Sequence, residues 1–369
     1  MCSSPASDSA ATALVLGLGA SGLAMAKWLA SRGYAIKVAD SRAAPPQLPA
    51  LRACLPQAEF VAGNFEAGLL TEDVALVCSS PGVSPHPHLP GNAAALRLAA
   101  AERGLEVLGE LELFARGLRE LDVLYAYRPK IVAITGTNGK TTVTSLTGKL
   151  VAAAGLRVEV AGNIGPNLLD RLSAACASQA WPDAWVLELS SFQLHDSVSF
   201  APHAAVVLNI TPDHLDWHAD MQEYIADKLK IFAASTTAIV NRDESEAGLA
   251  QQIVNQKKIG FGLSVPEQHL DFGLAQYGDS AWLVQCRSAL GDAPLKKNQD
   301  PELGLHRLMP AESLLIRGQH NISNALAALA LVEALDVPMG AALRALSQYR
   351  GEAHRVQSIA QKSGVQYID

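Results

Sequence analysis

The sequence predicts an α/β protein built from two mostly parallel, doubly wound sheets in succession, the first Rossmann-like and the second like a P-loop ATPase. Three observations carry this expectation. Short β-branched and apolar runs alternate with helical patterns along most of the chain. Two glycine-rich loops, in "LVLGLGASGLA" (14–24) and "AITGTNGKTT" (133–142), each stand between a strand pattern and a helix pattern. The length of 369 residues also exceeds what one core ordinarily organises.

The elements follow in order. "ATALVLGL" reads as a strand, "SGLAMAKWLASRG" as a helix closed by Gly33, and "YAIKVAD" as a second strand ending at Asp40. Together they make one βαβ unit. "DVALVCSSPG" is another strand, broken at Pro81-Gly82; "NAAALRLAAAERG" is a helix, and "LEVLGELELFARGL" is a strand running into a helix. "RELDVLYAYRPK" (119–130) is the expected joint. The second series opens with the strand "KIVAITG" and the helix "KTTVTSLTGKLVAAAG". It continues through the strands "RVEVAG", "AWVLELS", "AAVVLNI" and "TTAIVN", with "MQEYIADKLKIFAAS" as a helix between the last two. Residues 287–311 are polar and aperiodic, which predicts a long surface loop; "HNISNALAALALVEAL" and "MGAALRALSQY" are helices. "GVQYID" reads as a strand cut off in its middle. The expected division is 1–122, 123–350, and the start of a truncated third domain at 351–369.

Composition narrows the function classes. A net charge of −7 provides no basic footprint for nucleic acid, yet leaves phosphorylated ligands open because local loops bind them. The N-terminus lacks the basic start and apolar run of a signal peptide, and no apolar stretch reaches membrane-span length. The five cysteines are scattered and form no C-x-x-C pair, so a reduced cytoplasm is expected. These features predict no nucleic-acid or membrane partner; a monomer is the expectation adopted, though nothing in the composition reads it.

In the second loop, glycines let backbone amides face phosphate oxygens at a helix N-terminus. Gly136, Thr137, Asn138, Gly139, Lys140, Thr141 and Thr142 are the candidate ATP contacts. Lys140 would reach the β- and γ-phosphates, and the Thr141 hydroxyl would sit on Mg²⁺. The loop departs from G-x-x-x-x-G-K-[ST], since Ile134 holds the first glycine position and Gly136 supplies the turn. The first loop, Gly17, Gly19, Ala20, Ser21 and Gly22, has Asp40 about 20 residues on, the pattern of a dinucleotide site with an acid on a ribose hydroxyl. That geometry recognises any pyrophosphate, so NAD and other nucleotides stay open. His86 and His88 mimic a metal pair but lie in a proline-rich stretch, which predicts an exposed loop. His214 and His218 are spaced i, i+4 but lack the adjoining glutamate of a zinc helix.

The segment A-x-x-G-T-N-G-K-T (133–141) resembles the Mur ligases and the related folylpolyglutamate synthetases. So do "GNIG" (162–165), "LELSSFQL" (187–194), "NITPDHLDWH" (209–218), "YIADKLKIF" (224–232), "GQHNISNALAA" (318–328) and "HR" (354–355), in the same order. "LELSSFQL", with "GLGASG" and "SSPGVSP" upstream, is similar to the branch of the Mur ligases that joins D-glutamate to UDP-N-acetylmuramoyl-L-alanine. The resemblance implies an ATP-dependent amide ligase of peptidoglycan precursor synthesis, working through an acyl phosphate. It implies that the first domain holds UDP, with the loop amides on the pyrophosphate, Asp40, Ser41 and Arg42 near the uracil, and Ser79 and Gly82 closing over it.

The same resemblance implies roles for scattered residues. Glu188, at a strand end where doubly wound sheets place ligand groups, and His214 would hold two Mg²⁺ ions with Thr141. Lys228 would be N6-carboxylated, its charge reversed so that it too serves Mg²⁺. Asn163 and Ser190 would contact the muramoyl-alanine part, and Asn324 and Arg355 the ATP. His320 and Asn321 lie at a helix start, which Asn321 would simply cap. A third, Rossmann-like domain carrying the D-glutamate site would be largely absent, which implies poor turnover. The rival expectations are an NAD-dependent oxidoreductase with an additional ATP site and a non-catalytic nucleotide-binding fragment.

Overall fold

The computed structural model describes residues 11–244, 252–253, 256–288 and 302–352, and the backbone of 358–362 and 365–368. The first sheet contains β1 (Thr12–Leu16), β2 (Ala35–Asp40), β3 (Glu59–Ala62), β4 (Val74–Ser79) and β5 (Val107–Leu108), all parallel, in the order β3-β2-β1-β4-β5. Strand β1 is buried at every position, as expected of a parallel strand covered on both faces. It pairs with β2 on one side and β4 on the other, so the strand order reverses there. The loops after β1 and β4, "GLGASG" and "SPGV", therefore open side by side, the position at which such sheets bind ligands.

Helix α1 (Ala20–Ala30) follows the first loop; α2 (Leu48–Cys54) and α3 (Ala94–Glu102) complete the crossovers. The long α4 (Glu110–Tyr125) runs into the expected joint and ends within it, at Tyr125. Its apolar face explains why. Phe114 and Leu118 are buried in one core with Met25 and Trp28 of α1, and with Leu168, Leu172 and Trp185 of the second sheet's layer. A Cβ on Gly117 would lie 2.6 Å from Trp28 and 3.0 Å from Leu172, so the helices touch closely at that point. The two sheets share a continuous core.

The second sheet starts with β6 (Lys130–Thr135), α5 (Lys140–Ala152), β7 (Val158–Gly162), α6 (Leu168–Ser178) and β8 (Ala184–Glu188). It continues with α7 (Ser191–His195), β9 (Ala204–Val207), α8 (Met221–Leu229), β10 (Thr237–Asn241), β11 (Lys258–Phe261), β12 (Phe272–Tyr277), β13 (Ser280–Ser288) and β14 (Leu303–Pro310). Its order is β14-β13-β12-β11-β10-β9-β6-β8-β7, parallel from β7 to β12 and antiparallel beyond. Helices Gln319–Glu333 and Met339–Gln348 pack on α5, with residues 325–332 fully buried.

The surface loop expected over 287–311 is a correction. Leu303–Pro310 is a strand paired with Ser280–Ser288, and residues 289–301 lie outside the described set. The strand escapes a periodicity reading because it sits at the sheet edge, with only Met309 buried. The strand predicted in "GVQYID" is present as Val365–Ile368, in an antiparallel hairpin with Ser358–Lys362.

Candidate active site

Strand β6 lies between β8 and β9 and delivers the phosphate loop at its C-terminal end. Gly136 (φ 152°) and Gly139 (φ 84°) hold the left-handed turns that aim the loop at the start of α5. Lys140 Nζ folds back to donate to the carbonyls of Gly136 (2.9 Å) and Thr137 (2.8 Å). Thr141 and Thr142 follow in the first turn of α5, half-buried. Asn138 N–H donates to Asn209 Oδ1 (2.8 Å), and Asn209 Nδ2 returns a bond to Asn138 O (3.1 Å). Thr137 Oγ1 joins Thr211 O (3.2 Å) and the Tyr224 hydroxyl (3.0 Å). The loop is thus fixed by the segment after β9 and by α8.

A pocket of about 220 Å³ opens beside the loop, lined by Asn138, Gly139, Asn241, Phe261, His320 and Asn324 among others. Asn324 sits over Gly139: a Cβ there would be 2.7 Å from Asn324 Oδ1. Gly139→Ala is therefore expected to cost about 1–2 kcal/mol through its positive φ alone, and to push Asn324 aside. Urea unfolding and ATP titration of the variant would measure both effects. Asn321 does not cap its helix; its Nδ2 donates to Arg317 O (2.8 Å), and Gly318 occupies the cap position. Arg355 lies outside the described residues.

Glu188 ends β8, its Cα paired with Ile134 of β6, two residues from Gly136. The side chain is buried. Oε1 accepts from Asn163 Nδ2 (2.9 Å), while Oε2 is buried without a hydrogen-bond partner. An orphaned carboxylate oxygen beside a phosphate loop is the donor a hard divalent cation needs. Ser190 caps α7. Its Oγ accepts from Gln193 N (3.2 Å), and Gln193 Oε1 accepts from Ser190 N (3.1 Å), a reciprocal capping box.

Lys228, on α8, is not a surface lysine. It is 2 % exposed, and its Nζ donates to Gly136 O (3.0 Å) and approaches Thr135 Oγ1 (3.4 Å). Burial, with Lys140 as a like charge nearby, lowers its pKa to about 7. Glu188, Lys140 and Lys228 therefore all converge on the end of β6. His214 sits in the loop after β9 beside Asp213, a carboxylate near enough to Lys228 to act on its charge. Its backbone is left-handed (φ 53°), its side chain is 46 % exposed, and it meets Asp213 (3.4 Å) and the Phe192 ring.

At the first loop, Gly17 has φ 83°, and a Cβ on Gly22 would fall 1.9 Å from Gly17 O, so helix and loop pack backbone on backbone. Gly19 is the N-cap of α1 without a side-chain cap, and Ala20 and Ser21 open its first turn. Asp40 is buried and saturated. Oδ1 accepts from Arg42 N (2.9 Å) and Nε (2.8 Å), and Oδ2 from Leu18 N (2.7 Å) and Arg42 Nη2 (2.8 Å). Although burial pushes its pKa up, these four bonds hold it below the usual carboxylate range. All acceptor positions of the carboxylate are then used, leaving none for a ribose diol. The Arg42 side chain, 54 % exposed, presents a fixed guanidinium at the strand end, and Ser41 beside it is exposed. Ser79 Oγ is buried without a partner at the end of β4, and Gly82 is exposed just beyond it.

Comparison with known proteins decides the family. The Mur ligase middle domain profile matches residues 134–332, and the profile "Mur ligase MurD-like, N-terminal domain" matches residues 11–109. This chain belongs to the Mur ligase family. It is 51 % identical over 373 residues to the UDP-N-acetylmuramoylalanine–D-glutamate ligase of Burkholderia multivorans, covering 96 % of this chain and 72 % of that protein. To the enzyme of the same name in Burkholderia cenocepacia it is 50 % identical over 368 residues, with the same coverage. Among solved structures, it matches the UDP-N-acetylmuramate:L-alanyl-gamma-D-glutamyl-meso-diaminopimelate ligase of Neisseria meningitides. There the TM-score is 0.54 at 16 % identity, over 92 % of this chain and 98 % of that one, which supports the fold. The oxidoreductase alternative finds no support in these comparisons.

Several residues of this Mur ligase escaped the sequence reading. Asn209 and Tyr224 brace the phosphate loop, and Asn241 and Phe261 line the pocket beside it. Asn241 and Phe261 end adjacent strands, β10 and β11; an apolar run stopping in a polar residue was the available signal for Asn241, a weak one, and Phe261 carried none. His86 is a correction. It is only 18 % exposed and its Nε2 meets Glu223 Oε2 at 2.7 Å, because the loop after β4 folds onto α8; His88 beside it is exposed, as expected. No helix among the described residues is long and apolar enough to cross a membrane.

Proposed function

We propose that this protein joins D-glutamate to UDP-N-acetylmuramoyl-L-alanine at the expense of ATP, in peptidoglycan precursor synthesis. The observation that carries the reading is the saturation of Asp40 beside an intact pyrophosphate loop. The first site keeps the amides for a diphosphate but has no acid free for a nicotinamide dinucleotide's ribose. Arg42, held by Asp40, offers its face and remaining N–H groups to a uracil, with Ser41, Ser79 and Gly82 around it. The division into 1–122, 123–350 and 351–369 belongs to the same proposal, as does a cytoplasmic monomer.

In the second site the loop amides of residues 136–142 bind the triphosphate, and Lys140 swings from its own loop carbonyls to the β- and γ-phosphates. Asn324 and the pocket beside Gly139 receive the nucleoside. Arg355 completes the ATP contacts. The substrate carboxylate attacks the γ-phosphorus, ADP leaves, and the amine of D-glutamate displaces phosphate from the acyl phosphate through a tetrahedral intermediate. Both reactants in the first step are anionic. Asn163 and Ser190 orient the muramoyl-alanine end, Ser190 at the N-terminus of α7, and Lys140 offsets the charge that builds on the phosphate.

Thr141 and Glu188 fit a Mg²⁺ ion, the orphaned Oε2 supplying the free donor. His214 and a carboxylated Lys228 would serve a second. When bound, Mg²⁺ neutralises charge on the phosphates and acyl oxygen. For its part Lys228 needs only a neutral amine to add CO₂ and release a proton, and a pKa of about 7 leaves much of it neutral at physiological pH.

The test is melting of the protein with UDP-N-acetylmuramoyl-L-alanine, ATP–Mg²⁺ and NAD⁺ added separately. A ligand at 100 times its Kd adds about 2.7 kcal/mol. Shifts with the first two and none with NAD⁺ are expected; a shift with NAD⁺ alone would sink the ligase reading.

A further inference from the structure

Away from the phosphate loop, a second group of metal-ligating side chains converges where α7, α8 and the loop after β9 meet. His195 Nδ1 is 2.8 Å from Asp227 Oδ2, and His195, Glu223 and Asp227 can offer ligand atoms that all lie within 4.8 Å of one another. His218 joins them. Its Nδ1 stands 3.3 Å from Asp227 Oδ2 and 3.9 Å from Glu223 Oε2.

His218 carries the argument. Its side chain is 0 % exposed, and Nε2 is fixed at 2.9 Å from Ser191 Oγ. Nδ1 has no hydrogen-bond partner although it is buried and faces two carboxylates. If Ser191 accepts from Nε2–H, then Nδ1 turns a lone pair toward two anions. If Ser191 donates, the Nδ1–H reaches Asp227 Oδ2 only in a long, poorly aligned 3.3 Å contact. Either tautomer leaves a buried nitrogen without a well-formed hydrogen bond, which is costly. A cation between the nitrogen and the carboxylates removes the cost in the first tautomer.

We propose that His195, His218, Glu223 and Asp227 form an additional metal site, separate from the one at the phosphate loop, for a divalent transition ion of the zinc class. Two imidazoles and two carboxylates are the donor set such ions take, and hard Mg²⁺ prefers oxygen alone. Tetrahedral bonds of about 2.0–2.1 Å place ligand atoms about 3.3 Å apart, and the separations of 2.8, 3.3 and 3.9 Å bracket that edge. The remaining contacts are those of an outer shell, with Ala219 N–H (2.6 Å) and His86 Nε2 (2.7 Å) both on Glu223 Oε2. Ser191 orients His218, and Lys230 Nζ holds Asp227 Oδ1 at 2.8 Å, leaving Oδ2 for the ion. His86 reaches Glu223 from the first domain, so the ion would tie that domain's loop to the helix that carries Lys228.

The experiment is a Co²⁺ titration of chelator-stripped protein in excess Mg²⁺, which occupies the oxygen-rich site. One equivalent of Co²⁺ should bind with the intense visible absorption of a low-coordinate nitrogen–oxygen site, and Zn²⁺ should displace it. His195→Gln should weaken binding by more than about 100-fold, and Ser191→Ala by about 10–100-fold. Glu188→Gln should leave the spectrum as it is. Unchanged circular dichroism of His195→Gln in chelator would show that the fold survives. Absence of the band from the unmodified protein, its persistence in His195→Gln, or its loss in Glu188→Gln would each overturn the proposal.

Discussion

Lys228→Met is expected to make the metal-free protein more stable at neutral pH and to flatten its dependence on alkaline pH. The free lysine has a reference pKa of 10.5, and burial lowers it to about 7 in the folded chain. Between those values the unfolded chain holds a proton that the folded chain lacks, so stability rises with pH, by at most about 1.4 kcal/mol per unit. Below about pH 7 the amine is charged in both states and its burial weighs fully against the fold. The methionine variant removes that weight, gaining most at and below pH 7 and converging with the parent near pH 10. Urea unfolding in CO₂-free buffer across this range would measure it. A parallel pH dependence for the two proteins would mean that Lys228 titrates normally. Lys140→Ala should also raise the Lys228 pKa, since Lys140 is the like charge pressing on it.

The second large effect is on ATP–Mg²⁺. Glu188→Gln keeps an oxygen for Asn163 Nδ2 but removes the charge from the orphaned Oε2 position. Affinity for ATP in Mg²⁺ should fall about 100-fold, while affinity for ATP in chelator changes little. Lys140→Ala should instead weaken ATP about 100-fold in both conditions, because in the proposed complex the ammonium bonds to phosphate without passing through the metal. Calorimetric titration with and without Mg²⁺ separates the two. Equal losses for Glu188→Gln in both conditions would make that carboxylate structural.

Much of this molecule can be read from its chain because parallel sheets write themselves plainly. β1 and β6 are largely apolar runs followed at once by glycine turns, so both glycine loops can be placed from the sequence alone. The antiparallel edge was harder. In Leu303–Pro310 most side chains face solvent, so no buried face imposes a period of two. Asp40 was legible as a site residue but not in its role, since only the structure places Leu18 N–H and Arg42 on all of its acceptor positions. Lys228 had the opposite difficulty. On an amphipathic helix it reads as surface charge, and its burial against Gly136 depends on how α8 docks beneath the phosphate loop. The histidine cluster was invisible for a related reason. His86, His195 and His218 are distant in sequence, and spacing rules describe only what one segment brings together.

The central claim is that the two glycine loops serve two different nucleotides at once. Sequential calorimetric titration of one sample, first with UDP-N-acetylmuramoyl-L-alanine and then with ATP–Mg²⁺, tests it most directly. One equivalent of each should bind, with the first unaffected by Lys140→Ala and the second unaffected by Arg42→Ala. Competition between the two ligands for a single equivalent would contradict the account.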